Sequence, residues 1–197
     1  MINLFFISDI HFGHDNIIKY ANRPFIDVKE MNEVIINNWN EVVKDDDLVI
    51  IAGDLSLGIK KPELAQIMLQ LKGKKILIKG NHDKFSNSEY YSMGITIVVD
   101  SILMKIANKR VNISHYPYKS GKFNYWKYTI LHSLFPKRYF RPKEWQNQLE
   151  NDGKFLIHGH THSLTKITNR SINVCCEAWD YTPIHINEII RLINKNS

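Results

Sequence analysis

The chain has 197 residues, 44% of them hydrophobic, and carries 26 Lys plus Arg against 20 Asp plus Glu for a formal charge of +6. This is enough apolar material for one compact domain spanning 1–197, and no Gly/Ser-rich or Pro-rich linker marks a second. No apolar run approaches the ~20 residues that a bilayer crossing requires, so a membrane partner is not expected, while the positive balance favours an anionic one.

The first apolar run, Leu4 to Ser8, has no helical period and reads as a buried strand. No basic segment precedes it and Asp9 and His11 interrupt it, so it resembles an internal strand rather than a signal peptide, and a cytoplasmic location is expected. His14 or Asp15 caps a short helix carrying Ile17, Ile18 and Ala21, which Pro24 ends. Asp27 and Glu30 have capping-box spacing ahead of a clearer helix with Val28, Met31, Ile35, Trp39 and Val42 on one face. After the acidic turn Asp45 to Asp47, a second strand runs from Leu48 to Ala52 and delivers Asp54. Pro62 suits the first turn of a helix burying Leu64, Ile67, Met68 and Leu71, with Gly73 as its stop. A third strand, Ile76 to Ile78, leads into Gly80-Asn81-His82-Asp83. Strand and helix have then alternated twice, which predicts a layered α/β fold.

Beyond Gly94 the runs Ile95 to Val99, Ile102 to Ile106 and Val111 to Ser114 are too closely spaced for crossover helices and are expected to be antiparallel, in a second or mixed sheet. Phe155 to His158, Leu164 to Thr168 and Ile172 to Cys176 add strands, and Ile189, Ile190 and Ile193 predict a terminal helix. Cys175 and Cys176 are the only cysteines. Their adjacency argues against an ordinary disulfide and for a reducing compartment.

The span from Pro117 to Glu150 differs from the rest. It holds seven Lys and Arg against two Glu, +5 of the chain's +6, interleaved with nine aromatic residues. Lying between two strand ends, it is a candidate lid or substrate wall. Lys119, Lys122, Tyr125, Trp126, Arg138 and Arg141 are its candidate substrate contacts, since cations and rings together suit a nucleotide or single-stranded nucleic acid. The alternative is that the aromatics pack the excursion onto the body and the lysines form its solvated face.

Five short strands therefore end in metal-competent side chains, where ligand sites of α/β sheets gather. Asp9 and His11, like His160 and His162, are one residue apart and can face the same side of an extended segment. Carboxylate oxygen mixed with imidazole nitrogen suits Mn, Fe, Ni or Zn better than calcium. Asp54 can offer one oxygen to each of two cations, and Asn81, His115, His160 and His162 complete a two-centre nest. His158 is expected to be a structural strand histidine. His14 is either a cap or supporting contact or a direct substrate contact. His82, flanked by Asn81 and Asp83, is a candidate general acid or donor to a phosphoryl group unless it ligates a metal itself.

In their order, Asp9-Ile10-His11, Gly53-Asp54, Gly80-Asn81-His82-Asp83, Ser114-His115 and Gly159-His160-Thr161-His162 strongly resemble the calcineurin-like metallophosphoesterases. The stretch from Phe5 to Phe25 is similar to small phage and bacterial members. The resemblance implies a four-layer α/β/β/α sandwich with two mixed sheets and a site for two divalent cations, Mn favoured. It assigns Asp9, His11, Asp54 and His162 to one metal and Asp54, Asn81, His115 and His160 to the other. Hydrolysis by a metal-bridging hydroxide would follow, with His82 serving the leaving oxygen and Asp83 orienting His82. A phosphodiester or nucleotide is the preferred substrate. A phosphomonoesterase, or an inactive metal-dependent nucleic-acid binding module, is the alternative; no residue states the oligomeric state.

Overall fold

The structure is a computed structural model that describes residues 2–119 and 148–197. Strands β1 (Leu4–Ile7), β2 (Leu48–Ile51), β3 (Lys74–Ile78) and β4 (Ile95–Val99) form a parallel array, with the short β10 (Ile184–His185) antiparallel on the far side of β1. A second sheet of mixed direction has the order β5-β6-β7-β9-β8, from β5 (Ser101–Ile106), β6 (Lys109–Ser114), β7 (Phe155–His158), β8 (Ile167–Thr168) and β9 (Ser171–Asn173). This is the expected α/β architecture with two mixed sheets.

Alternation along each strand sends residues to two different cores. Phe5 and Ile7 of β1, Val49 and Ile51 of β2, and Leu77 of β3 face helices α2 (Val28–Val42), α3 (Lys61–Gln70) and α4 (Asn87–Ser92), with Ile17 of α1 (Asp15–Tyr20) joining the same cluster. Phe6, Ile50, Ala52 and Ile78 face the other way, onto Val111, Ile113, Phe155, Ile157 and Ile172 of the second sheet. The apolar stripe Ile189, Leu192 and Ile193 of α5 (Ile186–Lys195) enters this inter-sheet core beside β10.

Local chemistry explains the helix boundaries. Asp27 Oδ1 accepts the Glu30 amide at 2.8 Å and so caps α2, whose Met31, Ile35 and Trp39 are fully buried. Helix α3 begins with Pro62 in its first turn, where a missing N–H costs nothing.

Two expectations need correction. Ile95–Val99 pairs in parallel with β3 rather than joining an antiparallel array, because α4 supplies the crossover. That helix has six residues, too few to show a hydrophobic period, although its Ser86 and Glu89 form a complete capping box. Phe155–His158 has the expected bounds, but the two strands after it are shorter than expected, β8 covering only Ile167–Thr168 and β9 ending at Asn173, and the chain reaches β1 again through an isolated bridge between Ser8 and Cys175. The antiparallel pairing of β5 with β6 is as expected. Of the basic aromatic span, only 117–119 and 148–150 fall within the described residues.

Trp39 anchors the helical layer: its ring is fully buried and its Nε1 donates to the Lys72 carbonyl at 3.0 Å. Trp39→Ala should lower unfolding stability by about 3–5 kcal/mol, read from urea denaturation at constant slope.

Candidate metal centre

β1, β2 and β3 run in one direction, as do β6 and β7, so their carboxyl ends share one rim of the sandwich. The turns leaving that rim are strained. Asp9, His11, Asp54, His160 and His162 all adopt positive φ, between 47° and 70°, a conformation costing roughly 1–2 kcal/mol per residue but least foreign to Asp and His. The turns brace one another: the Asp9 amide donates to the Gly53 carbonyl and the His11 amide to the Asp54 carbonyl, both at 3.0 Å.

Two ligand clusters result. In the first, Asp9, His11 and His162 offer atoms within 4.8 Å of one another. Asp9 Oδ2 is occupied by donors from Ser8 Oγ (2.6 Å), the His160 amide (2.8 Å) and Cys175 Sγ (3.1 Å). Asp9 Oδ1 has no hydrogen-bond partner although buried, and lies 3.7 Å from His162 Nε2. Both ring nitrogens of the buried His11 also lack a partner. In the second, Asp54, His115 and His160 converge in the same way. His115 Nδ1 faces the Ala52 carbonyl at 2.9 Å, which turns Nε2 toward Asn81 Oδ1 at 3.0 Å and His160 Nδ1 at 3.2 Å.

Asp54 Oδ2 belongs to both clusters, 3.6 Å from His11 Nε2 and 3.4 Å from His115 Nε2. Its other oxygen accepts the His82 amide at 2.8 Å. All seven side chains expected to ligate metal thus meet at one rim. Asp9 Oδ1 and both His11 ring nitrogens, buried with no hydrogen-bond partner, cost free energy, and carboxylate oxygen mixed with imidazole nitrogen is a donor set that divalent transition metals satisfy. The residues fit two cations sharing Asp54.

The electrostatics agree. Burial pulls His11 down to about 2 and His160 to about 3, keeping both as neutral imidazoles with lone pairs to give. Burial also disfavours a charged His115, but the hydrogen bond to Asp54 and the charges of Asp9 and Asp54 outweigh it and raise the group to about 9. Burial works against ionisation of Asp54, yet His115 and His11 hold it well below the usual carboxylate range.

The structure gives Asp83 a different place from the one expected. Its Oδ2 accepts the Asp54 and Gly80 amides, both at 2.8 Å, and its Oδ1 accepts the Leu55 amide at 3.0 Å and the Tyr90 hydroxyl at 3.3 Å. It ties the turn after β2 to the turn after β3 and does not hydrogen-bond the His82 ring. The His82 ring stands at the edge of the site, Nε2 4.0 Å from Asp54 Oδ2. His14 occupies the N-cap position of α1 without making a side-chain cap; its Nδ1 is buried without a partner and its ring lies 5.3 Å from that of His11. His158 is buried with Nδ1 on the Gly159 carbonyl, a structural role. Lys119 pairs with Glu150 at 2.8 Å. Lys122, Tyr125, Trp126, Arg138 and Arg141 lie outside the described residues.

Sequence reasoning missed Arg23 and Glu177. Both are buried, they pair at 2.7 Å, and Glu177 Oε1 also contacts His162 Nδ1 at 2.7 Å. Neither has a local signature, although Arg23 lies inside the Phe5 to Phe25 stretch that carried the resemblance.

A family model described as calcineurin-like phosphoesterase matches residues 2–164. An uncharacterized protein of Methanocaldococcus jannaschii is 33% identical over 203 residues, covering 99% of this chain and 93% of its own. The gene 66 protein of Mycobacterium phage L5 is 31% identical, covering 98% of this chain and 95% of its own. Among solved structures, a protein of unknown function from Aquifex aeolicus superposes with a TM-score of 0.67 at 28% identity, over 98% of this chain and all of that one.

Two outcomes follow from the geometry. A Cβ on Gly159 would strike Asp9 Oδ2 and Ser8 Oγ, as one on Gly80 would strike Asp54 Oδ1, so Gly159→Ala should lower the number of divalent ions retained after loading, counted by elemental analysis after gel filtration. The raised His115 stabilises the metal-free fold fully below its ordinary 6.5, and that contribution is lost as pH rises through about 9. Thermal melts of chelator-treated protein should weaken across that window, while Mn affinity rises because the cation displaces the proton.

Proposed function

Because the chain belongs to the calcineurin-like phosphoesterase family, we propose that it is a metal-dependent phosphoester hydrolase whose preferred substrate is a phosphodiester or nucleotide, working with two divalent ions, Mn favoured over Fe, Ni or Zn. The observation that carries this reading is Asp54 Oδ2 standing between His11 Nε2 and His115 Nε2, with Asp9 Oδ1 and both His11 nitrogens buried and unpartnered beside it. When bound, a pair of divalent cations supplies Lewis-acid stabilisation of phosphoryl oxygens and a nucleophilic water at neutral pH.

The chain's own groups do the rest. Asp9, His11 and His162 would hold one ion, Asn81, His115 and His160 the other, and Asp54 both. The His82 amide fixes Asp54 Oδ1 while its ring, about one third exposed, faces outward from the same turn. From there His82 can deliver a proton to the departing oxygen or donate to a phosphoryl oxygen. Asp83 serves this indirectly, by holding the Asp54 turn and the His82 turn in register through three amides. The unpartnered Nδ1 of His14 beside His11 supports a role for it as a second substrate contact.

The diester preference rests on the sequence between Pro117 and Glu150, where cations and aromatics can engage groups on both sides of a phosphate. A reducing, cytoplasmic setting is supported by Cys175 and Cys176, free and buried thiols whose Sγ atoms donate to Asp9 Oδ2 and to the Asp9 carbonyl. No helix among the described residues is long and apolar enough to cross a membrane.

Purified protein loaded in turn with Mn, Ni, Zn and Fe should hydrolyse aryl diesters or cyclic nucleotides faster than aryl monoesters. Asp54→Ala should lose two-metal loading and nearly all turnover. His82→Ala should keep both metals and lose 10²–10⁴-fold in turnover, the range for a positioned acid, most severely with poor leaving groups. Monoester preference would reverse the substrate reading, and tight single-strand binding without turnover in metal-loaded protein would replace the enzyme with a binding module.

A further inference from the structure

The Arg23–Glu177 pair is buried in the middle of the protein, 154 residues apart in sequence, and has no part in the chemistry described above. Removing two such charges from water costs several kcal/mol per ion, so the contacts that offset this cost show what the pair is for. Arg23 Nη2 and Nε donate to Glu177 Oε1 at 2.7 and 3.0 Å. The same guanidinium donates from Nη2 to the Asp9 carbonyl at 2.6 Å and from Nη1 to the Ile10 carbonyl at 2.9 Å. Those two carbonyls belong to the turn that carries Asp9 and His11 at positive φ. Glu177 Oε1 is also the partner of His162 Nδ1 at 2.7 Å. A carboxylate there accepts an N–H, which places the proton on Nδ1 and leaves the Nε2 lone pair directed at Asp9 Oδ1, 3.7 Å away.

One ion pair thus touches the first cluster at three points: the Asp9 carbonyl, the Ile10 carbonyl immediately before His11, and the His162 ring. Among the described residues, no hydrogen bond of either side chain reaches Asp54, Asn81 or His115, so the second cluster is held by other means: Ala52 for His115, the His82 amide for Asp54. Arginine is required for this because a planar fork can serve a carboxylate and two carbonyls at once, which a lysine ammonium on a flexible stem does not.

We propose that Arg23 and Glu177 are positioning residues that set the affinity of one of the two cation sites, the one built on Asp9, His11 and His162, and leave the other site unchanged. The two ions then bind with separately tuned affinities, and loss of the pair produces a protein with one ion held tightly and one weakly. This rests on the two clusters holding metal.

The test is calorimetric titration of Mn into chelator-treated full-length chain. Wild type should bind two ions. Glu177→Ala, folded by circular dichroism, should bind one ion with unchanged affinity and the other 10–100-fold more weakly, the range for loss of an outer partner of a metal ligand. Glu177→Gln keeps an oxygen acceptor and should stay near wild type, whereas Arg23→Lys should weaken the same single site. Wild-type affinities at both sites in Glu177→Ala, or equal weakening of both, overturns the proposal. If Glu177→Ala does not fold, ¹⁵N-histidine spectra of zinc-loaded wild type decide: protonation of His162 at Nδ1 supports the proposal and protonation at Nε2 overturns it. A wild type that binds no metal would instead remove the metal-site reading itself.

Discussion

Everything at the rim follows from the crowding of lone pairs around Asp54 Oδ2. The imidazoles of His11 and His115 approach it to 3.6 and 3.4 Å, with Asp9 and His162 grouped around the first and His160 around the second. Such a gathering is unfavourable, and despite burial the hydrogen bond to Asp54 and the charges of Asp9 and Asp54 favour the charged form of His115. Divalent cations at the two clusters would offset the cost. The free energy that a structural core obtains from matching donors to acceptors is here deferred to an outside charge, and that deferral makes a site rather than a packing defect.

The scaffold tolerates this because strain and repulsion are confined to turns fixed on both flanks. The strands beneath them are among the most buried segments, with Phe6, Ile7, Ile51, Leu77 and Ile157 almost wholly inaccessible. Above the strands, five ligands sit at positive φ, where each turn is hydrogen-bonded to its neighbour. Gly80 and Gly159 complete the arrangement by subtraction: each omits a side chain where the carboxylate of another strand end lies. Asp83 adds the cross-brace between β2 and β3, and Tyr90 of α4 reaches down to it. A helix too short to see in the sequence therefore contributes to holding the turn that carries Asp54.

The sequence was most readable where chemistry and local pattern coincide. An apolar run that halts at Asp, His or Asn reports both a strand and the polar residues at its end, which is why the side chains that meet at the rim could be named before their distances were known. Partnerships across the chain were not readable. Asp83 sits beside His82 in sequence, but its partners are the Asp54 and Leu55 amides, 29 and 28 positions back. Glu177 stands in a short 3₁₀ turn, Cys176–Trp179, with nothing nearby to distinguish it from a surface acid. Burial and pairing are tertiary properties, and no periodicity reports them. The direction of β4 was misread for a related reason: close spacing suggested a hairpin, while one and a half turns of helix were enough to carry the chain across.

The separation between Arg23 and Glu177 has a bearing on how the molecule comes into being. Contacts between the two ends of a polypeptide close the largest loop and are entropically the last to be worth forming. A chain still being synthesised can complete the first sheet's parallel strands, yet has no His162 and no Glu177 with which to finish the Asp9 cluster. Closure of that cluster thus waits on the pairing of Arg23 with Glu177, among the longest-range contacts in the described fold.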